Sequence, residues 1–331
     1  MKKIYIITEI FPPSFASTGQ LMEELALELS DYFDVNIVTT IDKKKPAKIY
    51  GKLKIKRFRI TKLDKNKKAG RIFNGLRFLF MTFFYLLFSD KKSVLLFVSN
   101  PPYIAVIGYL LSILKGQRYV YLIHDQYPEI AEALGYLKPN SAVVKIWKGV
   151  NKKIFGRAEK NIALGALMKN KIGELYPKYS DKIAVITNWA DRRAIFPISQ
   201  KEDIRKEVGY NQKFIVQYSG NIGLFHNLDV LIEVANLLKG YGDILFQFIG
   251  DGGKKKSLIS KKDEYGLNNV IFEDYLEKKY LNISLNLADI AIISLDGRVN
   301  NLCVPSKFYG IIASGTPIVA LCSSDTDIGY E

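Results

Sequence analysis

The chain has 331 residues and 48% of them are apolar, which suits two packed domains of ordinary size and excludes a disordered or fibrous protein. Two cysteines, Cys303 and Cys322, exclude a disulfide scaffold and point to a reducing cytoplasm, and two histidines argue against a zinc enzyme. A net charge of +15 calls for a polyanion or an anionic surface as partner.

Met1-Lys2-Lys3 followed by Ile4-Tyr5-Ile6-Ile7 resembles a signal peptide for only a few residues. Thr8 and Glu9 end the apolar run, so it reads as a buried first strand over 4–8. A loop over 8–19 then leads to a helix from Gln20, and Gly19 would let the backbone come close to a ligand there. A plain strand–helix turn explains the same glycine. From Lys43 to Arg71 there are fourteen Lys/Arg residues and one acid, Asp64. Such a block suits nucleic acid, an anionic bilayer face or a solvated loop.

The segment from Phe78 to Phe88 is apolar and aromatic almost all round. As a helix it would be about 16 Å long, too short for a bilayer core of ~30 Å. It either lies in a membrane interface beside the basic block or packs on a sheet as a core helix. A nucleic-acid surface would set aromatics among basic residues on strands, so no nucleic acid is expected.

Strand-length apolar runs recur over 35–39, 55–60, 94–98, 119–123, 161–164 and 183–186, with helices over 20–30 and 104–114 among them. A second series has strands over 214–218, 244–249, 270–272, 290–293 and 318–321, separated by helices over 228–238, 254–264 and 307–314. This alternation predicts parallel sheets covered on both faces. Two doubly wound α/β domains are expected, 1–192 and 193–331, joined within 188–199. Ligands in such sheets bind beyond the carboxyl ends of the strands.

Several candidates sit at such ends. His124 follows a strand and precedes Asp125; it reads as a contact to a sugar or acceptor hydroxyl, or as a plain loop residue. Tyr218-Ser219-Gly220-Asn221 leads through a glycine loop to His226 and a helix, a place to hold a diphosphate on N–H groups, or a loop that simply needs glycine dihedrals. Phe248-Ile249-Gly250-Asp251-Gly252-Gly253 runs into Lys254-Lys255-Lys256 but lacks the Gly-x-x-x-x-Gly-Lys-Ser/Thr phosphate loop. No metal-ligand spacing and no Ser/His/Asp constellation is readable. The most informative stretch is Val304-Pro305-Ser306-Lys307-Phe308-Tyr309-Gly310, a loop and helix start ahead of a strand over 318–321 expected to be buried. Free N–H groups, a partial positive charge, Ser306 and Lys307 together make a phosphate site.

The set of motifs resembles the retaining glycosyltransferases of family 4 over essentially the whole chain. Phe11-Pro12-Pro13 with Gly19, Ser99-Asn100-Pro101-Pro102, His124-Asp125-Gln126-Tyr127-Pro128-Glu129 and Asn188-Trp189-Ala190-Asp191 carry the first part. Tyr218-Ser219-Gly220-Asn221, Phe248-Ile249-Gly250-Asp251-Gly252 and Pro305-Ser306-Lys307 with Tyr309-Gly310 carry the second. The forms around His124 and Lys307 look closest to the subgroup of L-fucosamine transferases of O-antigen and capsule assembly.

The resemblance implies a GT-B fold, two Rossmann-like domains facing each other across a cleft. It implies a nucleotide-diphosphate sugar, UDP-linked, as donor, with no cofactor and no metal. Donor binding would fall to Gly220, Asn221, His226, Gly250, Asp251, Gly252, Pro305, Ser306, Lys307 and Tyr309. Gly19, His124 and Asp125 would serve the sugar and acceptor side, with His124 and Lys307 catalytic.

Three departures stand out. Leu302 and Gly310 occupy positions where many members carry glutamates, and Asn221 and His226 stand where many carry Arg and Lys. The chain also ends at Glu331, where the family continues, so the second domain is expected to be incomplete. The function expected is transfer of one sugar to a lipid-linked saccharide during surface polysaccharide assembly. The enzyme would sit on the cytoplasmic face of the inner membrane, held by Lys43 to Arg71 and Phe78 to Phe88. A sugar-nucleotide epimerase of the same fold, or a non-catalytic basic binder, is the alternative.

Overall fold

The computed structural model describes residues 1–14, 16–41, 50–59, 68–223 and 226–330. The chain forms two compact units, one of Met1–Thr187 with Asn301–Val304, the other of Asn188–Asn300 with Pro305–Glu331. The segment Asn301–Val304 clusters with the first unit, which a single cut at 192/193 does not provide for.

The first unit is built on β1 (Lys3–Ile7), β2 (Asp34–Ile41), β3 (Lys54–Arg59), β4 (Val94–Val98), β5 (Arg118–Leu122), β6 (Lys160–Ala163) and β7 (Ile183–Val185). They form one sheet in the order β3-β2-β1-β4-β5-β6-β7, and the described pairs are all parallel. Around it lie α1 (Ser17–Leu29), α2 (Lys68–Leu87), α3 (Val106–Lys115), α4 (Glu129–Ala133), α5 (Ala142–Arg157) and α6 (Ala166–Leu175). The central strands are short apolar runs such as Val94-Leu95-Leu96-Phe97-Val98, because a parallel strand is buried on both faces. At the edge, β3 alternates instead, with Lys54, Lys56 and Arg59 exposed and Phe58 buried. Charged side chains on an edge strand discourage pairing with another chain.

The helix expected from Gln20 begins at Ser17, so Gly19 lies inside the first turn of α1 rather than in the loop ahead of it. Its N-cap is Ala16, which offers no side-chain acceptor, and the boundary carries no capping signature. The aromatic segment forms part of helix α2 and is divided by face. Phe78, Thr82 and Leu86 are buried on the sheet side, while Ile72, Phe73, Leu76, Phe80, Phe84 and Phe88 are exposed. This i, i+4 spacing gives one stripe inward and one outward. No helix among the described residues is long and apolar enough to cross a membrane. Much of the basic block, residues 43–49 and 60–67, lies outside the described residues.

The second unit has β8 (Phe214–Ser219), β9 (Ile244–Ile249), β10 (Val270–Glu273), β11 (Ile290–Ser294) and β12 (Ile318–Leu321), in the order β10-β9-β8-β11-β12, again all parallel. Its helices are α7 (Lys201–Glu207), α8 (Asp229–Leu237), α9 (Lys255–Glu264), α10 (Leu281–Leu287), α11 (Lys307–Ser314) and α12 (Asp327–Tyr330). Tyr218, Ile232, Phe246, Phe248, Leu258 and Ile292 anchor the core between the sheet and α8–α9. The strand over 318–321 was expected to be buried. Instead β12 is the edge of this sheet, and Val319 is 44% exposed.

Candidate nucleotide-binding site

At the carboxyl edge of the second sheet, β8 and β9 each end in a glycine with positive φ, Gly220 at +135° and Gly250 at +138°. L side chains rarely adopt that backbone. The Gly220 N–H donates to the Ile249 carbonyl (2.9 Å), and the Gly250 N–H donates to that of Glu273 (3.0 Å). The two loops then lie backbone against backbone. A Cβ on Gly250 would run into the Gly220 carbonyl, and one on Gly252 into the Ile222 carbonyl. Ile222 N–H donates to the Asp251 carbonyl (2.9 Å), and Lys254 N–H donates back to Ile222 (3.0 Å). The Tyr218 hydroxyl closes the first loop from inside by donating to the Asn221 carbonyl at 2.7 Å.

Lys307, the first residue of α11, comes to this edge. Its Nζ lies 3.7 Å from the Tyr218 ring centroid, and a Cβ on Gly220 would stand 2.9 Å from it. The nitrogen is buried and has no hydrogen-bond partner among the described residues. Cation–π attraction favours its charged form, but burial opposes it more strongly and holds its pKa down to about 7. Ser306 is the N-cap and makes no side-chain hydrogen bond to the helix. In the first turn the Phe308 N–H donates to the Pro305 carbonyl (3.3 Å), and no side chain caps the helix start.

His226 is fixed by a 2.9 Å hydrogen bond between its Nδ1 and the Ser294 carbonyl, so Nδ1 carries the proton. Burial, then the neighbouring Lys307 charge, lower its pKa and keep it neutral near pH 7. The Asn227 N–H reaches the Ser294 hydroxyl at 3.1 Å, tying the β8 loop to the end of β11. The carboxylate of Asp251 accepts from Gly252 N–H at 2.8 Å and is spent on its own turn. Tyr309 packs edge-on against Phe308, with ring centroids 5.4 Å apart, and Pro305 stands one position ahead of the N-cap. A cavity of about 340 Å³ opens beside this cluster, lined in part by His226, Lys254, Asp296, Arg298 and Leu321.

Of the expected donor-side residues, Gly220, Asn221, His226, Gly250, Asp251, Gly252 and Lys307 come together in the second unit, while Pro305, Ser306 and Tyr309 adjoin Lys307 along the chain. Sequence reasoning missed Tyr275, whose ring lies against Gly250 and whose hydroxyl points at the Asp251 carbonyl (3.5 Å). Its place just after β10 was the available signal. In the first unit, Gly19 is buried, its N–H bonds to the Ala16 carbonyl (2.9 Å), and a Cβ would meet Ile10 at 3.1 Å. Close packing on the loop ahead of α1 accounts for glycine there. The N–H groups of His124 and Asp125 share the Ser99 hydroxyl, at 2.9 and 3.2 Å. Nε2 of His124 is buried without a partner among the described residues, and burial lowers its pKa to about 4, so the ring is neutral. Asp125 forms a β-bridge with Cys303. No group of three or more His/Cys/Asp/Glu suited to a metal occurs among the described residues.

Residues 199–321 match the family model for glycosyl transferases group 1. Along 99% of its length the chain is 24% identical to a Pseudomonas aeruginosa protein named "Probable glycosyltransferase WbjE", covering 82% of that protein. The chain is a glycosyltransferase. Its fold is GT-B: it superposes on WaaG, a glycosyltransferase involved in lipopolysaccharide biosynthesis, with a TM-score of 0.72 at 12% identity, covering 99% of this chain and 82% of that one. The Anabaena protein HepE, solved with UDP and glucose, gives a TM-score of 0.67 at 14% identity, covering 97% and 80%.

The interlocked loops make a direct prediction for this glycosyltransferase. Gly250→Ala combines a disfavoured φ with a backbone collision, and should lower the stability of the second unit by about 3 kcal/mol. Chemical denaturation measures this; a loss under ~1 kcal/mol would mean that the loops do not depend on each other.

Proposed function

We propose that the chain is a retaining glycosyltransferase of family 4 that takes a nucleotide-diphosphate sugar, UDP-linked, and transfers the sugar to a lipid-linked saccharide in surface polysaccharide assembly. The observation that carries the donor side is Lys307: its buried ammonium has no hydrogen-bond partner among the described residues, fills the space a Cβ would take at Gly220 and stands at the start of a helix without a side-chain cap. HepE, which shares the fold, was solved with UDP-glucose. WaaG and its role in lipopolysaccharide biosynthesis support the polysaccharide setting.

The chemistry asked of such a site is stabilisation of charge on the departing diphosphate. Lys307 supplies a cation and the first turn of α11 supplies N–H donors. Neutral His226, positioned by Ser294, adds a ring edge where a second cation is common. Cations and helix dipoles acting together need no metal. On the acceptor side we assign His124 and Asp125; Nε2 of His124, buried and without a hydrogen-bond partner among the described residues, is the polar atom that a sugar hydroxyl would satisfy. In a front-face mechanism the leaving phosphate oxygen accepts the proton of the acceptor hydroxyl as the new glycosidic bond forms, so no separate base is required.

The pH dependence follows from Lys307. A bound diphosphate raises its pKa above the free value of about 7, so binding takes up a proton when the free protein has lost it. The part of the affinity owed to Lys307 is then greatest below about pH 7 and is lost as pH rises above it, and Lys307→Met, in which only the nucleotide titrates, supplies the baseline. Lys307→Met should weaken binding by roughly 10–150-fold at pH 7, the equivalent of a lost charge-assisted contact, and flatten that dependence. Isothermal titration measures both; equal affinity in the variant removes Lys307 from the site.

We further propose that the enzyme is peripheral on the cytoplasmic face of the inner membrane, where such acceptors reside. The exposed stripe Ile72, Phe73, Leu76, Phe80, Phe84 and Phe88 follows directly on a stretch with fourteen Lys/Arg residues and one acid. Apolar insertion and attraction to anionic headgroups reinforce each other. A Phe80→Asp/Phe84→Asp variant changes only exposed positions and should lose co-sedimentation with anionic phospholipid vesicles while keeping its melting temperature. Undiminished co-sedimentation would clear α2 of that role.

A further inference from the structure

The run Lys254-Lys255-Lys256 after a glycine turn looks like a set of phosphate ligands, yet the first two ammonium groups are already engaged. Nζ of Lys255 donates to the Gly250 carbonyl (2.9 Å), the Glu273 carbonyl (3.2 Å) and the Asp274 carboxylate (2.6 Å). Three acceptors use all three N–H bonds of an ammonium. Nζ of Lys254 donates to the His226 carbonyl (3.2 Å) and pairs with the Asp229 carboxylate. Their side chains are only 21% and 15% exposed, whereas Lys256 faces solvent.

We propose that Lys254 and Lys255 are positioning residues that fix the spacing of the three loops after β8, β9 and β10, and are not ligands of the phosphates. Lys254 grips the β8 loop at His226, and Lys255 grips the β9 turn at Gly250 and the end of β10 at Glu273. Adjacent residues at the start of one helix thus pull in neighbouring loops. The location is otherwise unfavourable for cations, because the dipole of α9 is positive at this end. The acceptors outweigh it: one Nζ reaches the carbonyl oxygens of both Gly250 and Glu273, at the ends of neighbouring strands, and the Asp274 carboxylate besides. The clamp also has a footing in the sheet. The Glu273 carboxylate accepts from the Tyr210 hydroxyl (2.8 Å) and from Gln247 Nε2 (3.1 Å), which locks the end of β10 from below.

The inference rests on the second unit being the nucleotide site, and two measurements keep the failures apart. The first is amide hydrogen exchange, which needs no ligand. Lys255→Met should speed exchange of the Gly250 amide by at least about tenfold, and Lys254→Met that of Ile222, with core amides of β8 and β9 unchanged. Lys256→Met should change neither. Unaltered exchange in both clamp variants overturns the proposal.

The second is titration with a nucleoside diphosphate and the matching monophosphate. A positioning role weakens both by the same factor in Lys255→Met. A loss confined to the diphosphate would make Lys255 a phosphate ligand and overturn the proposal. If the wild type binds neither nucleotide, the reading of the site fails while the exchange data still decide whether the clamp exists.

Discussion

The second unit depends on the close approach of two backbones. Gly220 and Gly250 stand at the ends of adjacent strands, and the loops that follow them exchange hydrogen bonds through Ile222, Asp251 and Lys254. Nothing larger than glycine fits at the crossing, since a Cβ on Gly250 would occupy the place of the Gly220 carbonyl. The approach does two things. It consumes polar backbone groups that would otherwise be unsatisfied at the sheet edge. It also leaves the Gly220 surface bare, so that Lys307 can lie beside it.

The electrostatics follow from that bareness. A lysine ammonium covered by protein with no acceptor among the described residues is costly, and burial draws its pKa down toward neutrality. Such a group is poised to gain when an anion arrives, because the anion supplies both the missing acceptor and the missing counter-charge. His226, neutral and fixed by Ser294, does not compete for that anion with a charge of its own. The lysines of the β9 turn are held by carbonyls and carboxylates instead. Around these loops the cations thus differ: Lys307 has no hydrogen-bond partner among the described residues, while Lys254 and Lys255 are engaged.

Much of the fold was legible because parallel strands buried on both faces are short apolar runs; twelve strand-length runs match the twelve strands, although the edge strands β3 and β12 are partly exposed. What failed to show had a physical reason in each case. The start of α1 was misplaced because Ala16 caps it and Ser17 and Thr18, residues at home in loops, are already helical. The exposure of β12 depends on its place at the sheet edge, which hydrophobicity along the chain does not encode. The aromatic block of α2 could not be divided by eye until one face was seen against the sheet. The roles of Lys254 and Lys255 were hidden because most of their partners are carbonyl oxygens, which leave no trace in residue identity. His226 and Lys307 stood out by place, one in a glycine loop after a strand and the other at a helix start, and the structure sets their side chains near each other.

The central claim is that the second unit holds a nucleoside diphosphate on glycine loops and a buried lysine, with no metal. A thermal-shift panel of UDP, GDP, dTDP, ADP and CMP in the presence of EDTA tests it most directly. A ligand at 100 times its dissociation constant stabilises by about 2.7 kcal/mol, a clear rise in melting temperature. The account predicts such a rise with a nucleoside diphosphate, UDP foremost, and its loss in Lys307→Met. No rise with any nucleotide, or one that appears only when a divalent metal replaces EDTA, would contradict it.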